Sequence, residues 1–254
     1  SRRPGGRLAR GGRGRAMDLG ELLSRTERQR QEAAAFTVEG DGGQAAAVAR
    51  HDGSERAQYS EASYWEERYA AEDAVFEWLL TWEDVAPLLA PLLGPSLQVL
   101  HLGCGNSRMG VDVLEAGLAQ RVINCDISPT VIDQMMARFG DAEGRLMWDV
   151  EDATQLSYTD GFYDAVVDKG TLDALLCAAS QGAKEQGAAA LLGEALRVLR
   201  PGGRLVVLSF GQPEVRERYI RAAAGAAPEY TPVMKAGPAG NTTYHMYVVT
   251  KPLP

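Results

Sequence analysis

Short runs rich in Val, Ile and Leu recur along the chain: Gln98 to Leu102, Arg121 to Asp126, Tyr163 to Asp168, Arg204 to Phe210 and Met246 to Thr250. Near-continuous apolar runs of this length are the mark of strands buried on both faces. Helix-length segments lie between them, among them Gly187 to Leu199, which Arg200-Pro201-Gly202-Gly203 stops. Apolar strands alternating with helices predict an α/β fold, a doubly wound, mostly parallel sheet with helices on both faces. Upstream the pattern weakens. Residues 18 to 35 carry good helix formers behind Asp18 but only a thin apolar stripe, and residues 37 to 58 mix Gly, Ala and charge without a period. Residues 1–16 are Gly/Arg-rich and predict disorder. The expected organisation is a disordered tail over 1–16, a helical or mobile lead over 17–58 and one folded domain over 59–254.

Composition narrows the partners. The chain has 254 residues, 45% of them hydrophobic, and no apolar run approaches the roughly 20 residues of a membrane span. Its net charge is -8, yet residues 1–15 contain six Arg and no acid, which leaves the remainder at -14. A body that acidic repels phosphate backbones, so nucleic acid is not an expected partner and a basic protein is. Cys104, Cys125 and Cys177 are an odd number without C-x-x-C spacing, which argues for a reducing compartment and no disulfide framework. The dispersed His51, His101 and His245 give no metal-ligand spacing, and no metal is expected. The start lacks the apolar core of a secretory signal. Its Arg-rich, acid-free character admits an organelle transit peptide, whereas a start at Met17 makes the protein cytoplasmic, the reading favoured here.

Chemistry concentrates after the first strand. Val99-Leu100-His101-Leu102-Gly103-Cys104-Gly105-Asn106-Ser107 is a strand running into a Gly-x-Gly turn, where a missing Cβ lets the backbone approach a ligand. Any tight strand-to-helix turn uses the same glycines. Asp126 adds weight: it ends the next apolar strand, about 20 residues on, where a carboxylate can accept both hydroxyls of a ribose. Dinucleotide folds add a third Gly for the pyrophosphate, but Asn106-Ser107-Arg108 offers none. An adenosyl ligand without a pyrophosphate fits. Lys169 follows Ala165-Val166-Val167-Asp168 at a strand end, the edge at which doubly wound sheets bind ligands.

These motifs, with CDIS, EDA, DKGTLDALL and LRPGG, resemble the seven-β-strand, class I S-adenosylmethionine-dependent methyltransferases. SYWEERY, then FEW, with GCGNS and DKGTLDALL, is similar to the lysine methyltransferases of elongation factor 1-alpha and their methyltransferase-like relatives, over about residues 59 to 251. The resemblance implies a Rossmann-like fold, S-adenosylmethionine as cofactor and a basic protein such as elongation factor 1-alpha as substrate. It implies that Gly103 and Gly105 lie under the methionine moiety, that Asp126 takes the ribose with Ile127 beside the adenine, and that Asp152 and Ala153 reach the adenine amine. It makes Lys169 a cofactor contact and Trp65 and Tyr69 part of a segment closing over the cofactor. Phe76 stands where relatives often carry Tyr, which removes a hydroxyl and leaves a ring to pack on the sulfonium side. Without the resemblance, Trp65 and Tyr69 are four apart on one helical face, a spacing that favours an aromatic stripe packed on the core, and Asp152 reads as part of an acidic turn.

Methyl transfer from a sulfonium is a direct displacement, so the protein must align the groups and present a neutral acceptor. A lysine with its reference pKa near 10.4 is neutral in only about one molecule in a thousand near pH 7, an obstacle of about 4 kcal/mol. Asp168, at the end of the fourth strand, is the candidate for orienting the acceptor amine, with Thr171 and Asp173 behind it; a bond to a neighbouring backbone amide explains Asp168 equally well. A small-molecule methyltransferase and a non-catalytic adaptor are the alternatives. The complete cofactor set opposes the adaptor, and the short stretch from Gly211 to Tyr244 offers no cap to enclose a small substrate.

Overall fold

The structure, a computed structural model, describes residues 57–140, 142–237 and 240–254. The expected tail over 1–16 and the lead as far as residue 56 lie outside the described residues. Seven strands form one sheet: β1 (Gln98–Leu102), β2 (Arg121–Asp126), β3 (Leu146–Val150), β4 (Tyr163–Lys169), β5 (Leu199–Ser209), β6 (Glu229–Gly237) and β7 (Gly240–Thr250). Their order is β3-β2-β1-β4-β5-β7-β6. The first five are parallel, and β7 runs antiparallel between β5 and β6.

All five apolar runs are strands. The two remaining strands, β3 and β6, are the sheet edges, and for that reason neither shows a continuous apolar run. In β3 only Leu146 and Trp148 are buried while Met147 and Val150 face out. Strand β6 carries Glu229, Pro232 and Lys235, and a Pro is tolerated on an edge because one side of that strand has no ladder to fill. Strand β5 begins five residues before the apolar run. Arg200-Pro201-Gly202-Gly203 ends the preceding helix and then enters the strand as an irregularity, with Tyr163 opposite Leu199 but Ala165 opposite Arg204.

The helices are α1 (Ala62–Ala71), α2 (Trp82–Leu89), α3 (Met109–Glu115), α4 (Pro129–Phe139), α5 (Thr171–Leu175), α6 (Gln181–Val198) and α7 (Pro213–Ala224), with a 3-10 turn at Ala57–Ser60. Caps fix their starts. Ser128 Oγ accepts the Val131 N–H at 3.3 Å, with Pro129 in the first turn, and Ser180 Oγ accepts the Ala183 N–H at 3.1 Å. Alternate strand residues feed two cores. Val99, Val122, Val167 and Val206 pack with Val85, Leu89, Val131 and Met135 on one face, while Leu100, Ile123, Val166 and Val207 pack with Leu191, Leu192 and Ile220 on the other. The sheet is thereby covered on both sides. Strand order reverses at β1, which lies between β2 and β4, so the carboxyl ends of these three strands open onto one crevice.

Candidate functional site

That crevice holds a cleft with about 1200 Å³ of empty space, its open mouth included. Its floor is the turn after β1. Gly103 and Gly105 have φ of 53° and 51°, in the left-handed region that L side chains avoid. An added Cβ would lie 2.1 Å from Thr171 Oγ1 at Gly103 and 2.6 Å from Tyr69 Oη at Gly105. The turn is therefore a cradle that only glycine can form.

Asp126, at the end of β2, is buried beside that floor. Its Oδ2 accepts the Gly105 N–H at 2.8 Å and its Oδ1 accepts the Ser128 N–H at 3.0 Å. Burial raises its carboxyl to about 6 against the opposing pull of the backbone N–H groups. Each oxygen keeps a lone pair, and the residue lines the cleft with its neighbour Ile127. Glu151 donates its N–H to the Asp126 carbonyl at 3.0 Å, which brings the end of β3 alongside. Asp152 and Ala153 follow in the lining; Asp152 Oδ1 accepts the N–H and hydroxyl of Thr154, holding the turn.

Aromatic rings form the roof. Trp65 and Tyr69 stack with centroids 5.9 Å apart, and Trp65 meets Trp78 edge-on at 5.8 Å. Helix α1 is pinned over the cleft by polar bonds. Glu66 accepts the hydroxyls of Ser128 and Thr130, Gln134 Nε2 donates to the Tyr69 carbonyl at 2.8 Å, and Trp65 Nε1 donates to the Tyr59 carbonyl at 2.9 Å. The far wall is Ala174, Leu175, Cys177 and Phe210.

Of the residues singled out from sequence, Trp65, Tyr69, Gly103, Gly105, Asp126, Ile127, Asp152, Ala153 and Lys169 all line this one cleft. Two do not. Phe76 is half-buried outside the lining, packed edge-on against Trp78 at 5.4 Å, with its N–H on the Asn106 carbonyl. A ring held there packs on the roof residue Trp78 from outside the lining. Asp168 is fully buried, and its carboxylate accepts the Thr171 N–H at 2.8 Å and the Leu172 N–H at 3.1 Å. It caps α5, and the acceptor-orienting role gives way to this structural one. Burial, then the neighbouring charge of Asp173, raises its carboxyl to about 7.

Lys169 lines the cleft, but its ammonium is committed to Glu77 Oε2 at 3.0 Å and to the Trp78 carbonyl at 2.9 Å. Asp173 is also committed, to Arg216 at 2.8 Å and to the Phe210 N–H at 3.0 Å. Sequence reasoning passed over Glu77, Trp78 and Phe210 as site residues, because pairing across 30 residues or more has no local signature. Among the described residues no group of three or more His, Cys, Asp or Glu is placed to hold a metal ion.

A seven-stranded sheet with a reversed sixth position, a glycine cradle and a buried acid at the end of β2 defines a class I S-adenosylmethionine-dependent methyltransferase. Residues 99–203 match the methyltransferase-domain family model. The chain is 33% identical over 203 residues to EEF1A lysine methyltransferase 4 of Bos taurus, covering 76% of each protein. It is 34% identical over 165 residues to the eEF1A lysine and N-terminal methyltransferase of Xenopus laevis; that match takes in 65% of this chain but spans only 24% of the longer relative. In fold it is similar to the N-methyltransferase NodS from Bradyrhizobium japonicum, solved in complex with S-adenosyl-L-homocysteine, with a TM-score of 0.54, 17% identity and coverage of 74% of this chain and 99% of that one. The chain belongs to the family of S-adenosylmethionine-dependent methyltransferases that contains the eEF1A lysine methyltransferases.

Proposed function

We propose that this methyltransferase acts on a lysine side chain of elongation factor 1-alpha, the substrate for which its bovine relative, EEF1A lysine methyltransferase 4, is named. The observation that carries the proposal is the division of the cleft. One half has the glycine cradle and Asp126, and the other is walled by Ala174, Leu175 and Phe210 with no free acid among the residues that α5 contributes.

The glycine cradle and buried acid fit S-adenosylmethionine. Gly103 and Gly105 would lie under its methionine part, Asp126 would accept the ribose hydroxyls, Ile127 and Ala153 would flank the adenine, and Asp152 would receive the adenine amine. When bound, the cofactor supplies an electrophilic methyl group. The protein's part is to exclude water and to present an uncharged amine. An apolar wall disfavours the ammonium form and lowers the acceptor's pKa, reducing the cost of about 4 kcal/mol set by the reference value. Asp168 and Asp173 are committed to backbone and to Arg216, which leaves neither as the proton acceptor.

The acidic character of residues 16–254 suits a basic protein partner, and the thiols of Cys104, Cys125 and Cys177, none of them in a disulfide, suit the cytoplasm. Incubating the purified protein with methyl-labelled S-adenosylmethionine and purified elongation factor 1-alpha tests the proposal, with the modified site read by mass spectrometry. A labelled lysine is expected. Label absent from the elongation factor but present in a low-molecular-mass fraction of the same cells would replace the protein substrate with a small one.

A further inference from the structure

Glu77 stands outside every role assigned so far, yet three polar groups converge on its carboxylate beside the cleft. Its Oε2 accepts the Ser107 hydroxyl at 2.7 Å and the Lys169 ammonium at 3.0 Å, and its Oε1 accepts the Arg108 N–H at 2.7 Å. The flanking backbone repeats the attachment. The Ala74 carbonyl accepts Asn106 Nδ2 at 2.5 Å, the Phe76 N–H donates to the Asn106 carbonyl at 3.2 Å, and the Trp78 carbonyl accepts Lys169 Nζ at 2.9 Å. The segment from Ala74 to Trp78 is thereby sewn along the residues that follow the glycine cradle. Trp78, the next residue, carries the roof: its ring meets Trp65 at 5.8 Å and Phe76 at 5.4 Å, and it lines the cleft.

The Lys169 side chain is 3% exposed and that of Glu77 19%, so the pair is shielded from water. A buried ammonium with no carboxylate would recruit water or turn away, and either movement releases the Trp78 carbonyl that the same ammonium holds. We infer that Glu77 is a positioning residue that locks the aromatic roof onto the cofactor cradle, with Lys169 acting through it. The inference rests on the proposal that the cleft takes S-adenosylmethionine, and it changes the meaning of the lysine in DKGTLDALL: its ammonium serves the clasp. A preformed roof spares the cofactor the cost of ordering that wall, so the clasp is read in cofactor affinity and hardly in turnover.

The experiment measures cofactor dissociation constants by calorimetry, cofactor KM and kcat, and amide hydrogen exchange, on the full chain and on Glu77→Ala, Glu77→Gln, Lys169→Met and Glu77→Ala/Lys169→Met. Leu191→Ala, in α6 and remote from the cleft, controls for lost stability. Glu77→Ala is expected to raise the cofactor KM and Kd at least tenfold with kcat at saturation within threefold, and to speed exchange at the Phe76 and Arg108 amides. The double variant is expected to match Glu77→Ala within threefold, since both changes open one clasp. Glu77→Gln can keep the Arg108 N–H on its single oxygen, with the Ser107 hydroxyl turned to accept from the amide NH2, but it loses the ion pair, and its Kd is expected to lie between wild type and Glu77→Ala; it decides the matter if Glu77→Ala does not fold. A Kd within twofold of wild type in both Glu77 variants overturns the inference, as does an equal rise in Leu191→Ala. A wild-type protein that takes up no cofactor overturns the proposed function instead, and the exchange at Phe76 and Arg108 then reads the clasp by itself.

Discussion

Asp126 offers a test that joins charge, pH and binding. Its carboxyl is buried, already accepts two backbone N–H groups and is pushed up to about 6. A ribose presents two hydroxyl donors, which favour the ionised form, so cofactor binding must draw the proton off. At pH 5 a group with a pKa of about 6 is ionised in roughly one molecule in eleven, against nearly all at pH 7.5. The cofactor Kd is therefore expected to rise about tenfold between pH 7.5 and pH 5, worth about 1.4 kcal/mol. Asp126→Asn removes the titration. It also sets an amide NH2 against the Gly105 or Ser128 donor, so its Kd should be about 10- to 100-fold above wild type at pH 7.5. Asp112 and Asp168, both raised to about 7, and the cofactor's own amine also titrate, but they do so in both proteins. The quantity to measure is the difference between the wild-type and Asp126→Asn profiles by calorimetry from pH 5 to 8. A wild-type Kd that is flat over that range, or an Asp126→Asn profile with the wild-type slope, would refute the reasoning.

Gly105→Ala should lower the melting temperature by several degrees and the cofactor affinity at least tenfold, because an alanine at φ 51° costs roughly 1–2 kcal/mol and its Cβ would stand 2.6 Å from Tyr69 Oη. Thermal melts and calorimetry on one preparation check both. Asp168→Ala removes the cap of α5 and should cost about 1–2 kcal/mol of stability while leaving kcat at saturating cofactor within threefold. A kcat loss of a hundredfold, the scale of a general acid or base, would return Asp168 to the chemistry. Raising salt from 50 to 300 mM should depress kcat/KM on intact elongation factor but not on a short neutral peptide with the same lysine, since screening weakens the encounter of an acidic body with a basic partner. Equal salt responses for both would remove electrostatic steering.

The central parallel strands and the cradle were legible because their causes are local. A strand buried on both faces has to be apolar throughout, and a backbone at positive φ selects glycine, so β1, β2, β4 and the Gly103–Gly105 turn all show in the residues themselves. The edges β3 and β6 face water on one side and carry mixed patterns. Asp168 was legible as an acid with two equal readings, an orienter of the acceptor or a partner of a backbone amide, since direction decides between them and direction is set by α5 folding back over the strand end. Glu77 was illegible because its partners, Ser107, Arg108 and Lys169, lie 30 to 92 residues away in sequence. Phe76 is legible by its place in the motif, but its packing on Trp78 outside the cleft lining belongs to the tertiary contacts of the segment from Ala74 to Trp78, which no local pattern shows.

Asp126 and Asp168 lie at the carboxyl ends of β2 and β4, the strands on either side of β1, and burial raises both, to about 6 and about 7. A buried acid whose folded pKa lies above its unfolded value binds the proton more tightly when folded. Its contribution to stability is therefore greatest in acid and falls as pH rises from about 4 through the folded pKa. At neutral pH Asp126 is mostly ionised and Asp168 about half so, at a cost that the backbone N–H groups around them offset. For Asp168 the return is a fixed α5, on whose Thr171 the Gly103 cradle closes; Thr171 Oγ1 donates to the Leu102 carbonyl at 3.1 Å. For Asp126 the backbone N–H bonds leave acceptor capacity on a residue that lines the cleft, and a ligand with hydroxyl donors would add further compensation. Two acids alike in position and in titration thus divide by what their oxygens face. The protein keeps one as structure and leaves the other incompletely satisfied until a nucleoside arrives, which is why cofactor should stabilise the fold more at pH 7.5 than at pH 5.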